Sequence, residues 1–71
     1  MTLGQQKLNK YLEDRKPELT QVAFTKVIGC STGYLSQILS GDRTPGGLVA
    51  AKITKVTLGE VDSVDWYQEA E

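Results

Sequence analysis

The stretch LTQVAFTKVIGCSTGYLSQILSG, residues 19–41, leaves the chain few ways to fold. Phe24 and Ile28 stand four apart in its first half, and Leu35 and Ile38 three apart in its second, so each half carries one apolar helical stripe. The stripes must face each other, and their placement predicts two short helices packed at a steep angle. Between them lies Gly29-Cys30-Ser31. The glycine can take the left-handed conformation that ends a helix, the cysteine can fill a small buried gap, and the serine can cap the second helix. The polar side of that second helix is then left free to face a partner.

The flanking chain supplies further helical segments. Thr2 is an N-cap for a first helix over residues 3–15, with Leu8, Tyr11 and Leu12 inward, and Pro17 stops it. Thr20 caps a second helix over residues 21–28, in which Val22 and Val27 are expected to be half-covered by the first or fourth helix, or else to form a contact surface. Ser31 caps a third over residues 32–39. A fourth opens at Pro45 or, because Gly46 and Gly47 weaken its first turn, at Leu48, and runs to Val56 or Thr57. Its stripe is Val49, Ile53 and Val56, widened by Leu48 and Ala51. Asp62, with Asp65 three residues on, caps a short fifth helix or turn over residues 62–68. The β-branched run from Ile53 to Leu58 also permits a hairpin returning over Val61 to Trp66, and pattern alone leaves that alternative open.

The chain of 71 residues is one domain, with residues 68–71 expected to be a frayed acidic tail. Its net charge of −1 hides an asymmetry. All eight Lys and Arg residues lie between Lys7 and Lys55, opposed there by Glu13, Asp14, Glu18 and Asp42, for a net of +4. From Val56 onward come Glu60, Asp62, Asp65, Glu69 and Glu71 with no base, a net of −5. A basic body with an acidic end suits a polyanionic partner better than the sum suggests. There is no histidine, a single cysteine, no phosphate-cradling glycine loop and no carboxylate pair in a foreseeable cleft. No enzyme activity, metal or cofactor is expected on that inventory. Nor is any run apolar enough for a membrane span. Met1-Thr2-Leu3-Gly4 leads straight into polar residues, unlike a signal peptide, and a cytoplasmic location is expected.

Counted from Gln21, apolar residues fall at the fourth (Phe24), eighth (Ile28), tenth (Cys30), fifteenth (Leu35) and eighteenth (Ile38) places, with glycine ninth. This pattern resembles the helix-turn-helix of the Cro/repressor family of phage and bacterial regulators, including small antitoxin-like prophage repressors, over about residues 3–61. Thr25 departs from it at the fifth place, where the family usually has alanine because the helices nearly touch. A threonine fits there if its hydroxyl returns to a backbone carbonyl. The resemblance implies an all-α, compact five-helix lambda-repressor-like domain, or alternatively an α+β Cro fold with a C-terminal hairpin.

It also implies double-stranded DNA as partner, read at a pseudo-palindromic operator by a homodimer that represses by occupancy. Thr32, Gly33, Ser36 and Gln37 would face the bases, with Gln37 suited to the adenine N6/N7 edge. Gln21, Ser31, Tyr34, Ser40, Arg43 and Thr44 would contact phosphates. Val61, Val64, Trp66 and Tyr67 are the expected dimer or partner surface, with Trp66 folding back over the core as the alternative. The rival function is an antitoxin-like or adaptor module that docks a protein through Trp66, Tyr67 and the acidic end. No membrane and no small-molecule substrate is expected in either case.

Overall fold

The computed structural model describes residues 1–70, and over them the chain is a mostly helical, all-α domain of α1 (Leu3–Asp14), α2 (Gln21–Ile28), α3 (Thr32–Ser40), α4 (Gly47–Val56) and a 3₁₀ helix (Ser63–Tyr67). Three of the four α-helices begin on a side-chain cap: Thr2 Oγ1 accepts from Gln5 N, Thr20 Oγ1 from Ala23 N and Ser31 Oγ from Tyr34 N, each at 3.1 Å. Helix α4 starts on Gly46, which has no side chain to cap with. Leu8, Phe24, Ile28, Leu35, Ile38, Ile53 and Val61 form the driest part of the core, joined by Tyr11, Leu12, Ala50 and Trp66. Each of α1 to α4 therefore turns one stripe inward, and on α1 to α3 it is the stripe that the spacing requires.

The inward face of α4 is rotated from the expected one. Ala50 and Ile53 are buried, Val49 and Val56 are half-buried, and Leu48 and Ala51 face outward. Val22 and Val27 are also uncovered, at 53% and 59% exposure. No helix is long and apolar enough to cross a membrane among the described residues.

After α4 the chain forms neither a fifth α-helix nor a hairpin. Leu58 and Gly59 take positive φ of 54° and 85° and reverse the chain. Thr57 Oγ1 then accepts from Val61 N at 3.2 Å while Thr54 Oγ1 donates to Val61 O at 2.9 Å. Both backbone groups of Val61 are thus bonded to hydroxyls at the C-terminal end of α4, so none remains to pair with a strand. The threonines that raise β propensity on paper act here as helix-borne hydrogen-bonding groups.

The 3₁₀ helix is closed by a reciprocal cap: Asp62 Oδ1 accepts from Val64 N, and Asp65 Oδ2 accepts from Asp62 N at 3.0 Å. Asp65 is buried, and Lys7 Nζ on α1 donates to the same Oδ2 at 2.9 Å. These contacts seat Trp66 against α1. The expected frayed end is tied down as far as it is described. Leu3 N donates to Gln68 O at 2.6 Å, Ala70 N to Met1 O at 3.0 Å, and Thr2 and Glu69 form an isolated antiparallel bridge; Glu71 lies outside the described residues.

Trp66 stacks where α1 has no side chain. A β-carbon at Gly4 would lie 2.5 Å from Trp66 Cδ2, inside van der Waals contact with a ring that has no room to retreat. Gly4→Ala should therefore destabilise the chain by up to about 2 kcal/mol in a urea titration. The overpacking cost of about 1 to 3 kcal/mol exceeds the roughly 1 kcal/mol of helix propensity gained.

Candidate nucleic-acid interface

The turn between α2 and α3 is held by three hydrogen bonds centred on Thr25. Gly29 N and Cys30 N both donate to Thr25 O, at 2.8 and 3.1 Å, and Gly29 takes a left-handed φ of 74°. Thr25 is buried, and its hydroxyl donates to Val22 O at 2.6 Å. The polar atom is thus satisfied inside α2, and the departure from alanine is accommodated as the chemistry requires. Cys30 is half-buried against the core, and burial pushes its thiol up, which suits filler and not a nucleophile.

With Leu35 and Ile38 facing the core, the opposite side of α3 presents Thr32, Gly33, Ser36 and Gln37, all exposed. No heavy atom outside the local backbone comes within 4 Å of a β-carbon built at Gly33. Ser31 and Ser40 are exposed at the two ends of the row, and Gln21 is exposed at the first position of α2. The helix is anchored from behind by two residues with no role expected from their sequence. Gln5 Nε2 and Asn9 Nδ2 on α1 both donate to Leu39 O, at 2.9 and 3.1 Å. Gln5 is buried, and its amide lies 3.0 Å from where a β-carbon of Gly41 would be, a glycine at φ 90°. Their spacing of four on a polar helix face was the one available signal, and it is shared by countless solvated pairs.

The loop after α3 folds back on the helix. Arg43 N donates to Gln37 O at 3.2 Å, and Arg43 Nε donates to Gln37 Oε1 at 2.8 Å. The guanidinium also sits 5.5 Å from the centre of the Tyr34 ring, and Tyr34 Oη accepts from Gly46 N at 3.0 Å. Tyr34 is half-buried, so its hydroxyl is a loop brace at the rim of the α3 face. Asp42 is turned aside: its Oδ2 accepts from Ser40 Oγ at 3.1 Å. Thr44 is exposed and Pro45 is buried.

The anticipated partner surface is divided. Val61 and Trp66 are core residues, at 0% and 3% exposure, and cannot anchor a second chain while the domain is folded. Val64 and Tyr67 remain exposed, because in a 3₁₀ helix neighbours of the buried Asp65-Trp66 pair point away from it.

Charge is sorted by the same contacts. Lys7 pairs with Asp65, Lys10 with Asp14, Arg15 with Glu60, Lys16 with Glu13 and the N-terminal amine with Glu69. Every Lys and Arg of α1 and the turn after it thus has a carboxylate within 4 Å. Lys26, Arg43, Lys52 and Lys55 have none among the described residues. Lys52 Nζ would lie 3.5 Å from a β-carbon at Gly29, which puts an ammonium at the C-terminal end of α2, beside the turn. A groove is lined by Lys7, Lys10, Tyr11, Asp14 and Glu60, whose charges are paired with one another or with neighbouring side chains.

Comparison with known proteins finds no matching family model, curated protein or solved structure.

Proposed function

We propose that this chain is a sequence-specific double-stranded DNA-binding regulator of the Cro/repressor kind, with α2 and α3 as its helix-turn-helix in a lambda-repressor-like domain. The observation that carries the reading is the bare outer face of α3. Thr32, Gly33, Ser36 and Gln37 have no packing role, yet the helix bearing them is braced from behind by Gln5 and Asn9. A rigid polar helix face of this length suits the major groove, which is about 12 Å wide. The N-H groups at the start of α2, with Gln21, and the hydroxyls of Ser31 and Thr44 would contact backbone phosphates and fix the register, whereas the Ser40 hydroxyl is already donated within the chain. Lys26, Lys52 and Lys55 supply a field that no carboxylate of the described chain cancels by direct contact.

Repression would follow from occupancy, without chemistry. Two copies would be needed for useful affinity, since one copy neutralises few phosphates. Val64 and Tyr67 are the members of the anticipated interface still available for that contact, and half-sites about 34–36 Å apart would match the pair. The adaptor reading loses its main anchor with the burial of Trp66, and Glu60, Asp65 and Glu69 are engaged by Arg15, Lys7 and the N-terminus.

Selection from random duplexes, followed by anisotropy titrations of the enriched site at two salt concentrations, tests the proposal. A palindromic consensus is expected, with affinity falling steeply between about 50 and 200 mM salt. Ser36→Ala should erode discrimination at one position by about fivefold or more. Equal, weak binding to every duplex, or none at low salt, would refute it.

A further inference from the structure

We infer that Arg43 and Gln37 act as one base-reading unit and that the base they select is guanine; this rests on the DNA-binding reading above. The resemblance places Arg43 among phosphate contacts and leaves Gln37 to read adenine alone. The side-chain geometry departs from both assignments.

A glutamine matches adenine by offering its carbonyl to N6-H and its amide N-H to N7, so a donor-rich neighbour at the carbonyl end competes with N6-H for that oxygen. Here Oε1 already accepts from Arg43 Nε at 2.8 Å. The amide is therefore oriented, with its oxygen toward the guanidinium and its nitrogen free of any partner among the described residues. Arg43 uses one of its five N-H groups in this bond and keeps four. With the two N-H groups of the amide, the unit presents six free donors against a single remaining lone pair on Oε1. Guanine shows two acceptors, O6 and N7, along its major-groove edge. Adenine sets a donor beside its N7, and the guanidinium would meet that donor with another.

Two further features favour a base contact over a loosely held phosphate contact. The cation is fixed before any ligand arrives: its backbone N-H is bonded to Gln37 O at 3.2 Å, its Nε to Gln37 Oε1, and its plane lies near the Tyr34 ring. Tyr34 is itself held by Gly46 N. Part of the entropy cost of ordering this long side chain is thus met in the free protein, which favours directional recognition. The neighbouring carboxylate does not quench it, because Asp42 is turned to Ser40 and makes no ion pair with Arg43 within 4 Å.

The experiment is duplex selection with the full chain and with Arg43→Ala, Arg43→Lys and Gln37→Ala, after circular dichroism confirms that each variant is folded. Titrations then use the enriched site carrying guanine, adenine or 7-deazaguanine at the position in question. The wild type should select guanine at one position of each half-site and lose at least about fivefold in affinity for the adenine and 7-deaza duplexes. Arg43→Ala should remove the preference at that position alone, and Arg43→Lys, which lacks the Nε bond to Gln37, should not restore it. Gln37→Ala, which frees the guanidinium to move, should weaken the same preference. Two results would overturn the inference while leaving the regulator reading intact. One is adenine at that position in the wild-type consensus. The other is an Arg43→Ala protein that weakens on all duplexes alike with its consensus unchanged, the mark of a phosphate contact. Absence of any wild-type consensus would sink the regulator reading and this inference together.

Discussion

Trp66→Ala should lower the unfolding free energy by about 3–5 kcal/mol. A chain of this length holds only about 4–10 kcal/mol in total, so the variant should lose from about a third to all of its stability. The ring is 3% exposed and lies against the bare backbone of Gly4, and its removal opens a cavity between α1 and the 3₁₀ helix. Thermal circular dichroism should show the midpoint falling by more than about 12 °C, with no dependence on protein concentration. Tyr67→Ala, one residue on and 78% exposed, should change stability by no more than about 0.5 kcal/mol. A Trp66→Ala protein that keeps its midpoint, or loses it only on dilution, would show that the indole serves a subunit contact instead. The indole Nε1 is buried without a hydrogen-bond partner among the described residues. The ring is thus held by its apolar area and shape, and Trp66→Phe should keep much of what Trp66→Ala loses.

The same substitution made four positions apart, Gly29→Ala and Gly33→Ala, should move stability in opposite directions. Gly29 ends α2 with φ 74°, where a β-carbon crowds the following carbonyl, so Gly29→Ala should cost about 1–2 kcal/mol. Gly29→Asn should cost less, since asparagine tolerates that conformation better. Gly33 is helical and has open space around it, so Gly33→Ala should gain up to about 1 kcal/mol. Urea midpoints at constant slope would read the difference, about 1–3 kcal/mol between the two variants. The stabilised Gly33→Ala protein should nevertheless bind its selected duplex more weakly, because a methyl group on the outer face of α3 holds the helix away from the groove floor. Unchanged affinity would mean that glycine there is merely tolerated.

Much of the domain was legible because its signals are local. A cap, a stripe or a left-handed glycine acts within one or two helical turns, and Thr2, Thr20, Ser31, Gly29 and the stripes of α1 to α3 stand as their spacing requires. The hydroxyl of Thr25 finds a carbonyl three residues back, another short-range event. Where expectation and structure part, long-range contacts decided. Leu48 is as apolar as Ile53, but only the side of α4 that carries Ala50 and Ile53 has a core to enter. Val22 and Val27, expected to be half-covered or a contact surface, keep 53% and 59% of their surface exposed.

The C-terminal third shows the same limit more sharply. Its β-branched composition was compatible with a hairpin, an α-helix or a turn, since propensity differences of less than about 1 kcal/mol per residue decide little. The outcome came from Thr54 and Thr57 occupying both backbone groups of Val61, and from Lys7 reaching across to Asp65 over 58 residues of sequence.

Order along the chain thus determined where α1, α2 and α3 begin, which way they face the core, and that one polar helix face would be left bare, whereas α4 begins at Gly47 and not at the expected Pro45 or Leu48. Tertiary structure alone decided that Trp66 belongs to the core, that Gln5 and Asn9 brace α3, and that Arg43 claims the carbonyl of Gln37. The reason is one of range. Capping and periodicity are set by neighbours a turn away, whereas a side chain's burial or hydrogen-bond partner depends on which distant segment the fold delivers to it.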